Sequence, residues 1–196
     1  MANQNYRGRI APSPTGFLHL GHAKTFWTAY ERCRDSGGTL IYRDEDIDPL
    51  RCKEVFAQAA IEDLQHLGIQ WDEGPVKQSD RRQHYLSSLE ILAGQGLVYP
   101  CSYSRKDISL HSDSKMSPSD ELLFPPKLRP GHRNYDTPLN LKVNWRFRVA
   151  DDQLVSFADN NMGQQSYKTM EDFGDFLVWR KELMPAYELA VVVDDA

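Results

Sequence analysis

The sequence predicts an α/β fold in which a parallel sheet is interrupted by an inserted, partly antiparallel module. Three observations support this prediction. A short strand, a helix and a second strand follow one another between Arg7 and Arg43. Apolar and polar residues alternate from Leu139 to Val149, which is typical of a half-buried strand. The segment from Pro185 to Asp195 contains a continuous apolar run, which predicts a buried parallel strand.

Composition limits the class of protein. With 40% hydrophobic and 26% charged residues, the 196-residue chain is predicted to be globular rather than disordered. No apolar run approaches the roughly 18 residues of a membrane helix, and the polar N-terminus does not resemble a signal peptide. The three cysteines are widely spaced and odd in number, which favours the reducing cytoplasm. A net charge of −5 argues against indiscriminate nucleic-acid binding but not against a local RNA-binding face.

The first third of the chain is predicted to form a βαβ unit followed by a helix. The first helix begins at His22 and ends at Gly37-Gly38; its inward positions are Ala23, Phe26, Trp27, Tyr30 and Cys33. The strand Thr39–Arg43 then delivers the acidic segment Asp44–Asp48 to the sheet edge where the first loop lies. A second helix is predicted over 53–68, with Phe56, Ala60, Leu64 and Leu67 facing the core.

The next hundred residues are predicted as follows. A brief apolar run, 69–71, precedes a turn over 72–75, and a helix extends from about Ser79 to Gly94. The segment 97–101 is a strand, and Ser104–Asp107 has the form of a capping box. The serine- and proline-rich segment 111–133 is an exposed loop, 155–158 and 164–167 form a hairpin, and 176–180 returns to the parallel sheet.

The segment Arg7–His22, with the sequence RGRIAPSPTGFLHLGH, is the strongest functional motif. It passes from a strand through a loop to a helix that begins near His19-Leu-Gly-His22. Gly21 allows a nucleotide to approach the backbone, and the helix N-terminus presents N–H groups to phosphate. Two imidazoles can donate hydrogen bonds to a triphosphate. The alternative is an ordinary helix N-terminus with two surface histidines.

Together with four other segments, this motif resembles the glutamate branch of the class I aminoacyl-tRNA synthetases. Within the motif itself the resemblance lies in Arg9–Gly16; the four other segments are Arg43–Arg51, Gln78–Arg81, Gly174–Phe176 and Tyr187–Asp195. Within that branch the chain most resembles the sub-family of glutamyl-Q tRNA(Asp) synthetases. The resemblance implies a Rossmann-like catalytic domain whose first half covers 1–100. An inserted connective module then covers 101–172, and 173–196 begin the second half, which is incomplete here.

The resemblance also implies an activity and a set of site residues. In the implied reaction, glutamate reacts with MgATP to form glutamyl-adenylate and pyrophosphate. Glutamate is then transferred to queuosine of tRNA(Asp). Arg9 is expected to bind the side-chain carboxylate of glutamate, and Glu45 is expected to bind the ammonium group. Tyr187 is expected to close the pocket. Ala11 and Ser13 complete the expected glutamate site. The expected nucleotide contacts are Pro12, Thr15, His19, Gly21 and His22, of which His19 and His22 are the expected catalytic residues.

The same residues also have purely structural interpretations. Arg9 and Glu45 could form an exposed salt bridge, and Tyr187 could be a core residue. The family often binds zinc, but here only Cys101 and a substitute, His132, match the zinc-binding pattern. Four ligands are usual, so zinc is not expected. The segment Lys115–Ser119 imitates the second class I signature, but it lies too early in the chain and is interpreted as a coincidence.

Two alternative functions remain open at the level of sequence. The chain could be the N-terminal part of an ordinary glutamyl-tRNA synthetase, or a non-catalytic paralogue that binds an amino acid or RNA. In each case the expected protein is a cytoplasmic monomer without membrane contact. The resemblance places a second arginine and a lysine-bearing loop after residue 196, so the 196 residues alone are expected to turn over slowly.

Overall fold

The computed structural model describes residues 6–111 and 115–196. The chain divides into two compact units, one up to Gln83 and the other from His84. None of the described helices is long and apolar enough to cross a membrane. The domain boundaries expected from the sequence, at 100/101 and 172/173, stay a prediction.

The first unit contains a three-stranded parallel sheet with the strand order β1-β2-β3 and two helices. Its elements in chain order are β1 (Arg7–Ile10), α1 (Leu20–Asp35), β2 (Thr39–Asp44), α2 (Glu54–His66) and β3 (Glu73–Lys77). The predicted βαβ unit is therefore confirmed. Buried side chains from the strands and helices form one core, made of Ile10, Phe26, Cys33, Leu40, Tyr42, Leu64 and Ile69.

Two details of the first unit differ from the predictions. Trp27 and Leu67, expected in the core, are 40% and 43% exposed. The predicted turn at 72–75 is instead the start of β3, a strand at the end of the sheet order. Gly74 and Pro75 caused this error, because both residue types are depleted in strands and proline is tolerated mainly at sheet edges.

The second unit is built on a four-stranded sheet with the order β11-β10-β7-β4, all of whose pairs are antiparallel. These strands are β4 (Val98–Cys101), β7 (Asn144–Phe147), β10 (Leu177–Arg180) and β11 (Met184–Pro185). Two hairpins lie in the loops of this unit: β5 (Lys115–Met116) with β6 (Leu122–Leu123), and β8 (Leu154–Asp159) with β9 (Gly163–Lys168). Its helices are α3 (Arg82–Gly94), α4 (Arg105–Ser109) and α5 (Tyr187–Asp195).

Several predictions for this unit are confirmed, and two need qualification. The hairpin of β8 and β9 and the capping box of α4 are present. The strand predicted over 139–149 is shorter, because only 144–147 pair with neighbours. The segment 111–133 is not simply an exposed loop, since Ser117, Leu123 and Phe124 within it are buried.

Two predictions about the chain after residue 175 are wrong. β10 joins the antiparallel sheet rather than a parallel one. The apolar run after Pro185 is α5, a helix of 9 residues, and not a strand. Leu189 and Ala190 are buried while Val192 is 66% exposed, so the run has one buried face. A short continuous apolar run does not distinguish a strand from a helix by periodicity alone, which explains the error.

Candidate functional site

The loop after β1 is tied to the segment after β2 by backbone hydrogen bonds. The Glu45 N–H donates to the Pro12 carbonyl at 3.0 Å, and the Lys53 N–H donates to the Pro14 carbonyl at 2.9 Å. The two strands are parallel neighbours, so their carboxyl ends meet at one edge of the sheet, where α/β proteins bind ligands. The predicted convergence of the first loop and the acidic segment is therefore confirmed.

Glu45 is held on both carboxylate oxygens. Arg43 donates from Nη2 to Oε1 at 2.9 Å, and Ser13 donates from its hydroxyl to Oε2 at 3.2 Å. The Arg43 and Glu45 side chains are only 5% and 11% exposed. The orientation of Glu45 is thus constrained by a partly desolvated ion pair, while each carboxylate oxygen retains a lone pair for a further donor. Arg43 was not among the site residues predicted from the sequence, although its position on β2, two residues before Glu45, was a usable signal.

His19 and His22 form a pair at the start of α1. His19 is the N-cap residue, and its Nδ1 accepts from the Gly21 N–H at 3.1 Å. The Nδ1 of His22 accepts from the His19 N–H at 3.2 Å, and the ring centroids lie 3.8 Å apart. Because each Nδ1 accepts a hydrogen bond, the neutral rings carry their proton on Nε2. Partial burial, and secondarily the charge of His19, lowers the pKa of His22, which favours this neutral form.

Gly21 has a structural role that was not predicted from the sequence, in addition to the nucleotide contact, which stays a prediction. A Cβ atom at this position would lie 2.9 Å from Cε1 and 3.1 Å from Nδ1 of the His19 ring. The absent side chain therefore leaves room for His19 to cap the helix. Among the N–H groups at the start of α1, that of Gly21 already has an acceptor in the His19 ring.

The acidic residues beside Glu45 are not a solvated surface cluster. Asp46 accepts hydrogen bonds from the Ser79 N–H at 2.8 Å and the Ser79 hydroxyl at 2.6 Å. Asp44 is 3% exposed, and its Oδ1 has no hydrogen-bond partner among the described residues. Burial, and secondarily the charge of Asp46, raises the pKa of Asp44 to about 6. Asp44 was not predicted as a separate site residue, because the burial of one member of an acidic run is not visible in the sequence.

The remaining predicted site residues have simpler surroundings. Arg9 lies on β1 with an exposed side chain, opposite Ile41 of β2, and Ala11 follows the strand. The Thr15 N–H donates to the Ser13 carbonyl at 2.7 Å, which closes a tight turn in the loop. Tyr187 belongs to the second unit, where it is the first residue of α5 and is 59% exposed. It is therefore not a core residue, and its role stays a prediction.

The region with the degenerate zinc pattern contains an apolar cluster. Cys101 is buried with Tyr99, Ile108 and Phe124, and Leu128 packs against the same group. Within residues 6–111 and 115–196, no group of three or more histidine, cysteine, aspartate or glutamate side chains could hold a metal ion. A thiol in such a cluster behaves as a small apolar side chain, so these surroundings do not suit zinc.

Comparison with known proteins extends these observations. Residues 5–196 match the family described as tRNA synthetases class I (E and Q), catalytic domain. A protein of Burkholderia cenocepacia named glutamyl-Q tRNA(Asp) synthetase is 39% identical over 99% of this chain. One of the same name from Neisseria meningitidis is 38% identical over 97% of it. The chain spans 64% and 63% of these relatives' own lengths.

Two further comparisons involve proteins named for glutamate alone. A glutamate–tRNA ligase of Sulfurihydrogenibium is 35% identical over 97% of the chain, which spans 42% of that protein. The crystal structure of a glutamate tRNA ligase from Elizabethkingia meningosepticum superposes with a TM-score of 0.75 at 22% identity, over 98% of this chain and 42% of the other. The match over 5–196 determines the family: the chain belongs to the class I tRNA synthetases of the glutamate and glutamine type, catalytic domain.

Proposed function

We propose that this chain binds glutamate and MgATP and takes part in forming glutamyl-adenylate. The observation that carries the proposal is the junction of the two strand ends, where Glu45 is fixed by Arg43 and Ser13. A fixed carboxylate is suited to an ammonium group, and the Arg9 guanidinium on β1 is suited to a carboxylate. Glutamate carries both groups at opposite ends.

The proposed reaction needs no nucleophile from the protein. The α-carboxylate of glutamate attacks the α-phosphorus of ATP, the bond to the bridging oxygen breaks, and pyrophosphate leaves with that oxygen. The protein then contributes by positioning the reactants and by stabilising charge. His19 and His22, each with a proton on Nε2, are proposed to donate to the triphosphate. Pro12, Thr15 and Gly21 are proposed to line the nucleotide site, and Ala11 and Tyr187 the glutamate site.

We further propose that the acceptor is queuosine of tRNA(Asp) and that the protein acts as a cytoplasmic monomer. Support for this acceptor comes from the relatives named glutamyl-Q tRNA(Asp) synthetase. The second candidate is ordinary charging of tRNA(Glu), which is favoured by the similarity to a glutamate–tRNA ligase.

The test is glutamate-dependent exchange of pyrophosphate into ATP, measured with and without tRNA. The first candidate predicts exchange with glutamate but not with aspartate or glutamine, and no requirement for tRNA. It also predicts transfer to tRNA(Asp) only when the anticodon carries queuosine. Charging of unmodified tRNA(Glu) would replace the first candidate by the second, and equal exchange with all three amino acids would contradict both.

A further inference from the structure

A cavity of about 540 Å³ lies within the second unit. Its walls come from the start of α4, from β6 and β7, and from the segment 173–177. None of the residues assigned above to glutamate or ATP lines it. The volume is within the usual range of roughly 300–1,000 Å³ for sites that bind small organic groups.

Planar aromatic and guanidinium groups line the cavity. Four aromatic side chains line it: Tyr103, Phe124, Phe173 and Phe176. Arg146 also lines it, and its guanidinium lies 4.6 Å from the centroid of the Phe124 ring. This guanidinium is held in place because its Nη1 donates to the Asp175 carbonyl at 3.0 Å. Aromatic rings and guanidinium planes are the surfaces on which unpaired nucleic-acid bases stack.

The polar groups of the cavity suit a base better than a phosphate. Arg146 lines the cavity, and a guanidinium can donate hydrogen bonds to a base carbonyl or ring nitrogen. Glu121 and Glu188 also line the cavity. Their carboxylates repel a phosphate but can accept hydrogen bonds from the amino group of a base.

We infer that this cavity receives one unpaired base of the RNA substrate. The inference rests on the proposed function, because that function supplies the RNA partner. Stacking supplies the affinity, and Arg146 with the two carboxylates orients the base. The net charge of −5 agrees with a pocket that captures a single base rather than a broad surface that attracts the RNA backbone.

The test compares two arginine variants that both keep the positive charge. Arg146→Lys removes the planar guanidinium from the cavity wall. Arg148→Lys is the matched control: Arg148 also lies over a ring, that of Tyr99, at 5.0 Å, and donates to the Pro130 carbonyl, but it does not line the cavity. We expect Arg146→Lys to weaken binding of queuosine-containing tRNA(Asp) about tenfold, while Arg148→Lys changes it less than twofold.

A second readout uses the unsubstituted protein and therefore does not depend on how a variant folds. tRNA(Asp) carrying 4-thiouridine is irradiated with the protein, and the crosslinked peptides are identified by mass spectrometry. We expect crosslinks in peptides that contain Tyr103, Phe124 or Phe173. Tight tRNA binding without such crosslinks, or with equal effects of the two variants, would overturn the inference alone. Absence of any tRNA binding by the unsubstituted protein would overturn the proposed acceptor as well.

Discussion

Asp44 is a buried carboxyl group whose ionised form is disfavoured by its surroundings. Its folded pKa of about 6 lies above the ordinary value of 3.8, so the penalty is absent at low pH and complete above about pH 6. A shift of this size corresponds to on the order of 3 kcal/mol. We therefore expect Asp44→Asn to raise the free energy of unfolding at pH 8 by up to about this amount, and by little at pH 4.

Urea unfolding of the wild type and the variant at both pH values measures this effect. Asp136→Asn, at an exposed position, serves as the control. The interpretation of Asp44 would be wrong if Asn stabilised the protein equally at pH 4 and pH 8, or if it destabilised the protein at pH 8.

Arg43 and Glu45 form the other informative pair at the scale of single residues. Their ion pair is largely buried, so removing only the guanidinium in Arg43→Met leaves a poorly compensated carboxylate. We expect a loss of about 3–5 kcal/mol in the free energy of unfolding. The double variant Arg43→Met with Glu45→Met should regain a large part of this loss, because neither charge of the pair is left without its partner. A double-mutant cycle by urea unfolding that gives additive effects would show that the two side chains are not coupled.

At the scale of elements, the capped start of α1 depends on glycine, which has no side chain, at position 21. Alanine normally stabilises a helix by roughly 1 kcal/mol relative to glycine. At Gly21 we expect this gain to be cancelled, because the new Cβ would displace the capping His19 ring, and a lost cap costs about 1 kcal/mol. Gly94→Ala in α3 is the control, since a Cβ there meets no atom within 4 Å and the substitution should be stabilising. Thermal unfolding of both variants measures the difference; stabilisation by Gly21→Ala would contradict the assigned role.

The second unit contains a buried ion pair that explains why an aspartate lies between Gly174 and Phe176. Asp175 accepts hydrogen bonds from the Tyr99 hydroxyl at 2.5 Å, from Arg129 Nη2 at 2.6 Å and from the Val149 N–H at 2.9 Å. We expect Asp175→Asn to lower stability by about 3–5 kcal/mol. Asp151→Asn is the control, because Asp151 pairs with the same arginine but its side chain is 60% exposed.

Hydrogen exchange followed by mass spectrometry is the measurement for this pair. Peptides that cover β4 and β7 should exchange faster in Asp175→Asn and as in the wild type in Asp151→Asn. Unchanged protection of these strands in Asp175→Asn would show that the ion pair does not stabilise the sheet.

The accuracy of the sequence-based predictions differed between elements for physical reasons. The βαβ unit and the hairpin of β8 and β9 were predictable because their periodicity and turn residues agree. β3 was missed because glycine and proline occupy it, and α5 was mistaken for a strand because its apolar residues are continuous. For the candidate site, the order of strand, helix and strand predicted that the first loop and the acidic segment lie at one edge of the sheet. The burial of Asp44 depends on packing, which a motif does not reveal. The Arg43–Glu45 pair and the His19 cap each join residues two positions apart, but whether such neighbours make contact depends on side-chain conformation, which a motif does not specify.

At the scale of the whole molecule, the observations behind the two proposals lie in different units. The loop after β1 and Glu45 belong to the first, whereas the proposed base-binding cavity belongs to the second. Arg146→Lys should therefore alter RNA binding without altering glutamate binding. This separation allows the two proposals to be tested independently in one protein.

Calorimetric titration of the chain with glutamate, aspartate and glutamine tests the central claim most directly, because binding does not require turnover. We expect glutamate to bind best and Arg9→Ala or Glu45→Gln to lower its affinity at least tenfold, as expected when one partner of a charge-assisted contact is lost. Glu31→Gln, at an exposed position on α1, should bind glutamate like the wild type. Equal binding of the three amino acids, or unchanged glutamate affinity in Arg9→Ala and Glu45→Gln, would contradict the account.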